Sequence, residues 1–352
     1  MNHIVEEDLA EIISEDLPWD MFSHKTILVT GANGILPSYV VETFLYLNQK
    51  RKMNIHILAL VRNKKKAQMR FKEYADDVYL TIVTQDITMP FTYEGKIDYI
   101  IHAAGEARPK FYDKDPVGAI EGHILGTRNI LALAREKQVS GMLYFSSCAI
   151  YGTRFSDTGP NTIDESYVGR LSTLSSLSDR SCYSIGKSAA ESFCRAYFLQ
   201  YNVPVKIARI GYTFAPKMPL DDGRVFVEFI GNALRGDDIV LNSDGSAERP
   251  MLYVVDTTRA YLRILLLGNS GEAYNVAAEE NSTILSFAKI VAENAPGRNC
   301  NVTHQIAKRQ EYSSVKPKKI RIDITKLKAL GYMQKHNLKE AVIRTIQSYK
   351  GV

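Results

Sequence analysis

A tyrosine and a lysine one helical turn apart could form a site for proton transfer. Tyr183 and Lys187 lie in the segment CYSIGKSAAESFC (182–194), and side chains four positions apart share one face of a helix. A cation beside a phenol favours the phenolate, so Lys187 is expected to lower the pKa of Tyr183 and make it a general acid and base. On its own such a pair is more often merely solvated, so its surroundings decide between the two interpretations.

Two hydroxyl groups precede this pair at the end of an apolar segment. The segment GMLYFSS (141–147) ends in Ser146 and Ser147. Hydroxyls at the carboxyl end of a parallel strand lie where open α/β sheets bind their ligands. Ser147 is therefore a candidate for the same site as Tyr183.

A glycine turn, TGANG (30–34), lies between an apolar segment and a helical pattern. Gly31 permits a tight turn, and Gly34 lets the backbone approach a pyrophosphate at the start of a helix. Pro37 stands where a third glycine is usual, so a plain glycine-rich turn is the competing interpretation.

The elements that must position these residues alternate along the chain. Apolar segments typical of strands cover 25–30, 55–61, 78–83, 97–104, 141–147 and 203–210, and helical patterns cover 4–17, 39–47, 116–137 and 184–201. Strands joined by helical crossovers of this length predict a doubly wound parallel sheet with helices on both faces. After about residue 211 loops rich in proline, aspartate and glycine indicate a smaller second lobe.

Composition excludes several classes of protein. The chain has 352 residues, 45% hydrophobic, and a net charge of +5, which argues against disorder and is too weak to imply nucleic acid. Four cysteines without a CxxC pair indicate a reducing compartment, and no apolar run is long enough to span a membrane. The seven histidines lack metal-binding spacing. We expect a cytoplasmic protein that binds neither metal, nucleic acid nor membrane.

Four motifs in order resemble the extended short-chain dehydrogenase/reductases, the family of NAD-dependent nucleotide-sugar epimerases and dehydratases. They are TGANG (30–34), HAAG (102–105), SSCAIYG (146–152) and YSIGK (183–187). The resemblance extends from about residue 25 to 349 and is strongest to the UDP-glucuronate decarboxylase and dTDP-glucose 4,6-dehydratase branch. It implies a Rossmann fold with a smaller C-terminal substrate-binding lobe, a nucleotide-diphosphate sugar as substrate, NAD as cofactor and a homodimer.

The resemblance also implies roles for single residues. Tyr183, Lys187 and Ser147 match the catalytic groups, and the tyrosine and lysine also contact the cofactor. The remaining cofactor-binding positions are Gly31, Asn33, Gly34, Ile35, Arg62, Asp86, Ile87, Ala103 and Ala104. The substrate-binding positions are Ser147, Tyr212, Arg224, Val225 and Arg249. His123 stands where the family usually has asparagine and is left without a role.

The same resemblance divides the chain. Residues 1–23 are expected to be an N-terminal helical extension. Residues 24–211 are expected to be the NAD(P)-binding Rossmann domain, to which 251–277 returns, and 212–250 with 278–352 to be the nucleotide-sugar-binding lobe.

Three departures from the family pattern affect the predicted reaction. Ala149 occupies the position of an acidic residue that serves elimination or decarboxylation. Tyr212 replaces a usual asparagine or histidine. Arg62 replaces the aspartate that binds ribose hydroxyls in NAD-binding relatives, and an arginine there can accept the 2′-phosphate of NADP.

We rank the possible functions on the basis of these three departures. We expect an epimerase acting through transient oxidation at sugar C4. If Glu165 or Cys148 supplies a base, the alternative is a 4,6-dehydratase or decarboxylase that uses the same tyrosine, lysine and serine. A protein that keeps the fold but not the chemistry ranks third. The basic stretches 62–66 and 316–319 suggest a polyanion-binding module, but they lack the interleaved aromatic residues of single-strand binders.

Overall fold

The computed structural model describes residues 2–108, 111, 114–152, 162–167, 181–296, 300–305 and 321–349. Its strands are β1 (Thr26–Thr30), β2 (His56–Val61), β3 (Leu80–Thr84), β4 (Tyr99–His102), β5 (Gly141–Ser147), β6 (Thr162–Ile163), β7 (Val205–Ile210), β8 (Tyr212–Phe214), β9 (Ile239–Leu241), β10 (Glu248–Arg249), β11 (Met251–Tyr253), β12 (Ala273–Val276), β13 (Ser282–Thr283), β14 (Val302–His304) and β15 (Arg321–Ile322). Its helices are α1 (His3–Ile13), α2 (Ile35–Arg51), α3 (Lys64–Arg70), α4 (Pro116–Glu136), α5 (Ser181–Tyr201), α6 (Val225–Arg235), α7 (Val254–Leu267), α8 (Ile284–Glu293), α9 (Thr325–Lys328) and α10 (Leu338–Gln347).

Seven strands form a central parallel sheet in the order β3-β2-β1-β4-β5-β7-β12. Both faces of the sheet are covered, which explains why its strands are apolar without alternation. In β1, Ile27 and Val29 belong to the core on one face, together with Phe44 of α2. Leu28 belongs to the core on the other face, together with Ile130 of α4. The predicted doubly wound Rossmann sheet is confirmed.

The strand order places a crevice at the carboxyl end of β1. This strand pairs with β2 on one side and with β4 on the other. The chain builds the sheet outward from β1 in one direction through β2 and β3, and in the other direction through β4 and β5. The point where the strand order reverses is called the switch point, and open α/β sheets bind their ligands there.

Beyond the sheet, short strands pair in four separate two-stranded units. These are β11 with β8, β14 with β9, β10 with β13, and β15 with β6. The strand β12 lies beside β7 in the central sheet. The division into a Rossmann domain and a substrate lobe stays a prediction. Among the described helices, none combines the length and the apolar character that a membrane crossing demands.

The N-terminal helix α1 is fixed by a buried carboxylate. The Asp8 side chain is fully buried and accepts hydrogen bonds from the hydroxyls of Tyr39 (3.1 Å) and Tyr253 (2.8 Å). Arg344 of α10 donates to the same group at 2.6 Å. Burial raises the pKa of Asp8, while Arg344 and the two hydroxyls oppose that effect. The predicted helix over 4–17 ends earlier, at Ile13.

A second ionic contact joins the N-terminal helix to the C-terminal region. His336 Nδ1 lies 3.0 Å from Asp256, and its Nε2 lies 3.3 Å from Glu11 of α1. Burial alone would lower the pKa of His336, but the bonds to these two carboxylates outweigh it and raise the pKa to about 9. The protonated imidazole therefore links α1 to α7 at neutral pH.

This contact predicts a loss of stability in alkaline solution. The pKa of His336 is above the ordinary value of 6.5, so its contribution is complete below that pH and disappears as the pH rises through about 9. We expect it to reach about 3–4 kcal/mol, since one pKa unit corresponds to about 1.4 kcal/mol. Chemical denaturation across this window should show a decline that His336→Gln lacks. His3→Gln, at the exposed start of α1, should leave the decline intact, and an equal decline in His336→Gln would contradict the assignment.

Candidate active site

The glycine turn after β1 passes close to the segment after β4. Gly31 has φ of +64°, and a Cβ atom on it would lie 2.9 Å from the Cα atom of Ala104. Its amide donates to the carbonyl of Leu60 at the end of β2. Only glycine fits this turn without strain. The glycine turn therefore packs directly against the segment after β4 at the switch point, where open α/β sheets bind ligands.

The helix after this turn begins at the switch point of the sheet, and contact of its first turn with a pyrophosphate stays a prediction. Gly34 is exposed and is the N-cap residue of α2, so the first backbone amides of the helix point into the crevice. Asn33 and Ile35 flank it and are half-buried. Pro37, at the place of the third glycine, is buried within the first turn of α2, which its fixed φ suits.

The predicted adenosine-binding residues lie at the ends of β2 and β3. Arg62 follows β2, and its guanidinium lies 3.7 Å from the carboxylate of Glu106. Asp86 accepts hydrogen bonds from the amide (2.9 Å) and hydroxyl (2.8 Å) of Thr88, so it shapes its own turn. The side chain of Ile87 is buried in the core beneath α4. Contact of Asp86 and Ile87 with an adenine stays a prediction.

The structure brings Ser147, Tyr183 and Lys187 together. Ser147 ends β5, and Tyr183 and Lys187 lie in the first turns of α5. Ser147 forms a hydrogen bond with Tyr183, and Lys187 Nζ lies 6.0 Å from the centre of the tyrosine ring. This edge of the sheet also carries the glycine turn. The three groups therefore lie at the ligand-binding edge, as the sequence predicts.

The expected change in the pKa of Tyr183 has the opposite direction. Burial raises the pKa of Tyr183, and the lowering effects of Ser147 and of the Arg224 guanidinium do not overcome it. Lys187 is directed elsewhere, because its Nζ donates to the carbonyl of Phe145 at 2.5 Å. The expectation that Lys187 lowers this pKa was wrong, because the phenol is packed away from water.

Lys187 itself lies in an environment that disfavours its charge. Its side chain is only 4% exposed, and burial lowers its pKa to about 7 although Glu191 opposes the shift. Glu191 is in turn paired with Arg209 at 2.8 Å and accepts a 2.5 Å hydrogen bond from Ser146. Lys187 is therefore close to half-protonated at neutral pH.

Of the two candidate replacements for the missing acid, only Cys148 is clearly unsuited to act as a base. Ala149 lies in a short helical turn after β5, beside Cys148. The Cys148 thiol donates to the carbonyl of Arg209, and burial raises its pKa to about 12. The carboxylate of Glu165 accepts the amide of Asn275 at 2.7 Å, and burial raises the pKa of Glu165.

The predicted substrate residues fall into two groups. Arg224, just before α6, bonds the buried carboxylate of Asp222 and is close enough to lower the pKa of Tyr183. Val225 follows it and is exposed. Tyr212 is 45% exposed, and the Arg249 guanidinium lies 5.4 Å from its ring centre. Of these residues only Arg224 affects Tyr183, and contact of any of them with a substrate stays a prediction.

Two histidines lie beneath this edge of the sheet. His102 ends β4, bonds the hydroxyls of Thr30 and Thr127, and has its pKa lowered to about 3 by burial. His123, which the sequence left without a role, packs edge-on against Tyr183 with ring centres 5.3 Å apart. Burial, and then Lys187, lower the pKa of His123 well below its ordinary value. Both imidazoles are therefore neutral.

Two residues in the segment after β4 were not predicted from the sequence. Glu106 binds Arg108 through two bonds of 2.8 and 3.0 Å and contacts Arg62 from the other side. The sequence feature that could have indicated this ion pair is the acid and the arginine two positions apart in GEAR (105–108).

The parallel sheet and the cluster of Ser147, Tyr183 and Lys187 are typical of dinucleotide-binding α/β enzymes of the Rossmann type. A model of the NAD-dependent epimerase/dehydratase family matches residues 27–277. The chain belongs to this family, and NAD is its cofactor.

Named relatives act on different nucleotide sugars. UDP-glucuronic acid decarboxylase 5 of Arabidopsis thaliana is 30% identical over 321 residues, covering 91% of this chain and 88% of the relative. UDP-glucose 4-epimerase of Thermotoga maritima is 19% identical, with a TM-score of 0.75 and coverage of 92% and 98%. The dTDP-glucose 4,6-dehydratase of Streptomyces venezuelae, solved with NAD, is 22% identical, with a TM-score of 0.75 and coverage of 92% and 97%. The latter two show the shared fold.

Proposed function

We propose that the chain is an NAD-dependent nucleotide-sugar epimerase that oxidises its substrate transiently at sugar C4. The observation that carries the proposal is the position of Ser147 and Tyr183. They are hydrogen-bonded to each other at the carboxyl edge of the sheet, with Lys187 beside them and the uncharged Ala149 nearby. This arrangement can move a proton on and off one hydroxyl group, and offers little for abstracting a second proton.

The residues divide the reaction between them. Tyr183 takes the proton of the sugar O4 hydroxyl while the C4–H electron pair leaves as hydride, so that a C4 ketone forms. Bound NAD supplies the hydride acceptor and, in its oxidised form, a positive charge that favours the phenolate. Ser147 holds O4 by a hydrogen bond. Once the ketone presents its other face, C4 regains the hydride, and Tyr183 returns the proton to O4. The net reaction is redox-neutral.

Local charges support this cycle. Arg224 lies near enough to lower the pKa of Tyr183, and Lys187 adds a positive charge when protonated. Both favour the phenolate against the effect of burial. Elimination across C5 and C6 would additionally require a base for the C5 proton. The high pKa of the Cys148 thiol keeps it protonated, and the carboxylate of Glu165 is already occupied by the hydrogen bond that it accepts from the amide of Asn275.

Decarboxylation is the second candidate, and the relatives named as UDP-glucuronic acid decarboxylases favour it. A uronic acid oxidised at C4 is a β-keto acid, which loses carbon dioxide without removal of the C5 proton. Ala149 therefore argues against elimination more strongly than against decarboxylation.

Product analysis in deuterated water separates these reactions. We expect the protein, incubated with a panel of UDP-, dTDP-, CDP- and GDP-sugars, to invert C4 of one of them with unchanged mass and no carbon-bound deuterium. Ala149→Glu should gain elimination, recognised by loss of water and deuterium uptake. Loss of water or carbon dioxide catalysed by the natural protein would contradict the epimerase proposal and identify the alternative.

A further inference from the structure

Three consecutive residues at the end of β5 bond to three residues on one face of α5. The bonds join Phe145 to Lys187, Ser146 to Glu191 and Ser147 to Tyr183. The three helix residues are four positions apart, and side chains at that spacing share one face of a helix. Glu191 therefore belongs to the same strand-to-helix contact as the reacting tyrosine and its lysine.

The carboxylate of Glu191 is held rigidly in this contact. Its side chain is buried, and Arg209 of β7 donates to both of its oxygens over 2.8 to 3.2 Å. Ser146 Oγ donates to it at 2.5 Å. Arg209 is itself fixed, because it also donates to the hydroxyl of Tyr151 at 2.9 Å and to the carbonyl of Glu165 at 2.8 Å. An ion pair of this kind keeps a negative charge in one place.

The other titratable groups that act on Lys187 are neutral at neutral pH. Burial lowers the pKa of both imidazoles among them and raises the pKa of the phenols and of the thiol. These groups are His102 on β4, His123 on α4, Tyr144 on β5, and Tyr183 and Cys194 on α5. Of the groups around Lys187 in the described part of the chain, Glu191 is thus the charged one.

A negative charge one helical turn away favours the ammonium form of Lys187. Burial has the opposite effect and lowers the pKa of Lys187 to about 7, against the effect of Glu191. Because Lys187 is close to half-protonated at neutral pH, a change in the charge of Glu191 alters its protonation most strongly there.

We propose that Glu191 is a positioning residue for the reaction and acts through Lys187. Its fixed carboxylate keeps the amine in the ammonium form beside Tyr183, and Ser146 and Arg209 hold that carboxylate in place. The consequence for turnover rests on the proposed function, whereas the effect on Lys187 does not depend on which reaction the protein catalyses.

NMR of the full chain, labelled with ¹³C at the lysine Cε atoms, tests the effect on Lys187 directly. The Lys187 signal is the one that is missing from Lys187→Met. Glu191→Gln keeps the length of the side chain and removes its charge. We expect the midpoint of the Lys187 titration to fall by about one pH unit, a tenfold loss of proton affinity, because Arg209 partly neutralises Glu191. Loosened packing would expose the amine and move the midpoint the other way, toward 10.5.

Two variants serve as controls. Glu191→Asp keeps the charge and should keep the midpoint of the natural protein. Glu293→Gln removes one negative charge from an exposed site on α8 and should also leave the midpoint unchanged. A midpoint in Glu191→Gln that stays or rises would overturn the proposal.

A double variant covers the case in which melting curves show Glu191→Gln unfolded. Glu191→Gln combined with Arg209→Met leaves no buried arginine without its partner. The midpoint should still fall, because of these two residues it is Glu191 that acts on Lys187. A midpoint that stays or rises in the double variant would overturn the proposal as well.

Turnover tests the link to the reaction. In Glu191→Gln, kcat should fall roughly tenfold above pH 7, in proportion to the lost fraction of charged Lys187, while KM stays nearly unchanged. Steady-state rates across this pH range measure both. A lowered NMR midpoint with unchanged kcat would overturn the positioning role. If the natural protein turned over no nucleotide sugar, the proposed function would fail, and the NMR titration would still decide whether Glu191 acts on Lys187.

Discussion

Replacing Tyr183 by Phe should reduce turnover of the nucleotide sugar by about 10³-fold, within the range for loss of a general acid and base. The substitution removes the hydroxyl that exchanges the O4 proton and keeps the buried ring, which packs against His123. The dinucleotide crevice is formed by other residues, so NAD binding should stay within a few-fold of the natural value. Steady-state rates and calorimetric titration with NAD measure the two effects separately.

Tyr144→Phe provides the matched control for this experiment. Tyr144 is fully buried whereas Tyr183 is half-buried, and Lys187 Nζ lies 4.9 Å from the Tyr144 ring centre. It precedes Ser147 on β5, within the strand instead of at its end. It should therefore keep nearly full turnover. An equal loss in both variants would mean that Tyr183 acts through packing, and unchanged turnover in Tyr183→Phe would refute its catalytic role.

Replacing Lys187 by Met should stabilise the protein while reducing turnover by about 10²-fold or more. Burial lowers the pKa of Lys187 to about 7 from an ordinary value of 10.5. At neutral pH the burial of this amine therefore destabilises the folded state. Methionine has similar length and no charge. After allowance for the lost hydrogen bond to the Phe145 carbonyl, we expect a net gain of about 1–3 kcal/mol in the free energy of unfolding.

The pH dependence gives this prediction a definite sign. Between pH 7 and 10.5 the unfolded chain holds a proton on Lys187 that the folded chain has lost, so the contribution of Lys187 alone makes stability rise with pH through this range, opposite to the contribution of His336. The advantage of Lys187→Met should therefore be largest at and below pH 7 and fade toward pH 10.5. Denaturant titrations at several pH values measure it. A variant that is less stable than the natural protein at pH 7 would contradict the burial argument.

Much of the sheet could be predicted because buried parallel strands are apolar on both faces. The segment 141–147 matches β5, and 203–210 contains β7 with two extra residues. The N-terminal helix was predicted too long because Leu17 is apolar and buried without being helical. Apolar spacing reports burial, and burial continues beyond the point where the helix hydrogen bonds end.

The sequence predicted which residues come together in the candidate site, but not the direction in which their pKa values change. Ser147 and Tyr183 meet because one ends a strand and the other begins the helix beside it, which the motif order implies. The direction of the Tyr183 pKa depends on how much chain packs over the phenol, and no local pattern encodes that. The contact of Arg62 with Glu106 joins segments far apart in sequence, and only the sheet order brings them together.

The buried carboxylate of Asp8 limits where the chain can be truncated for expression. A boundary at residue 24 separates the helix that carries Asp8 from all three of its partners, Tyr39, Tyr253 and Arg344. Trimming the first helix as an appendage would leave two phenols and a guanidinium group without their shared acceptor. Expression of the NAD-binding part alone is therefore better designed to retain this helix together with the last one.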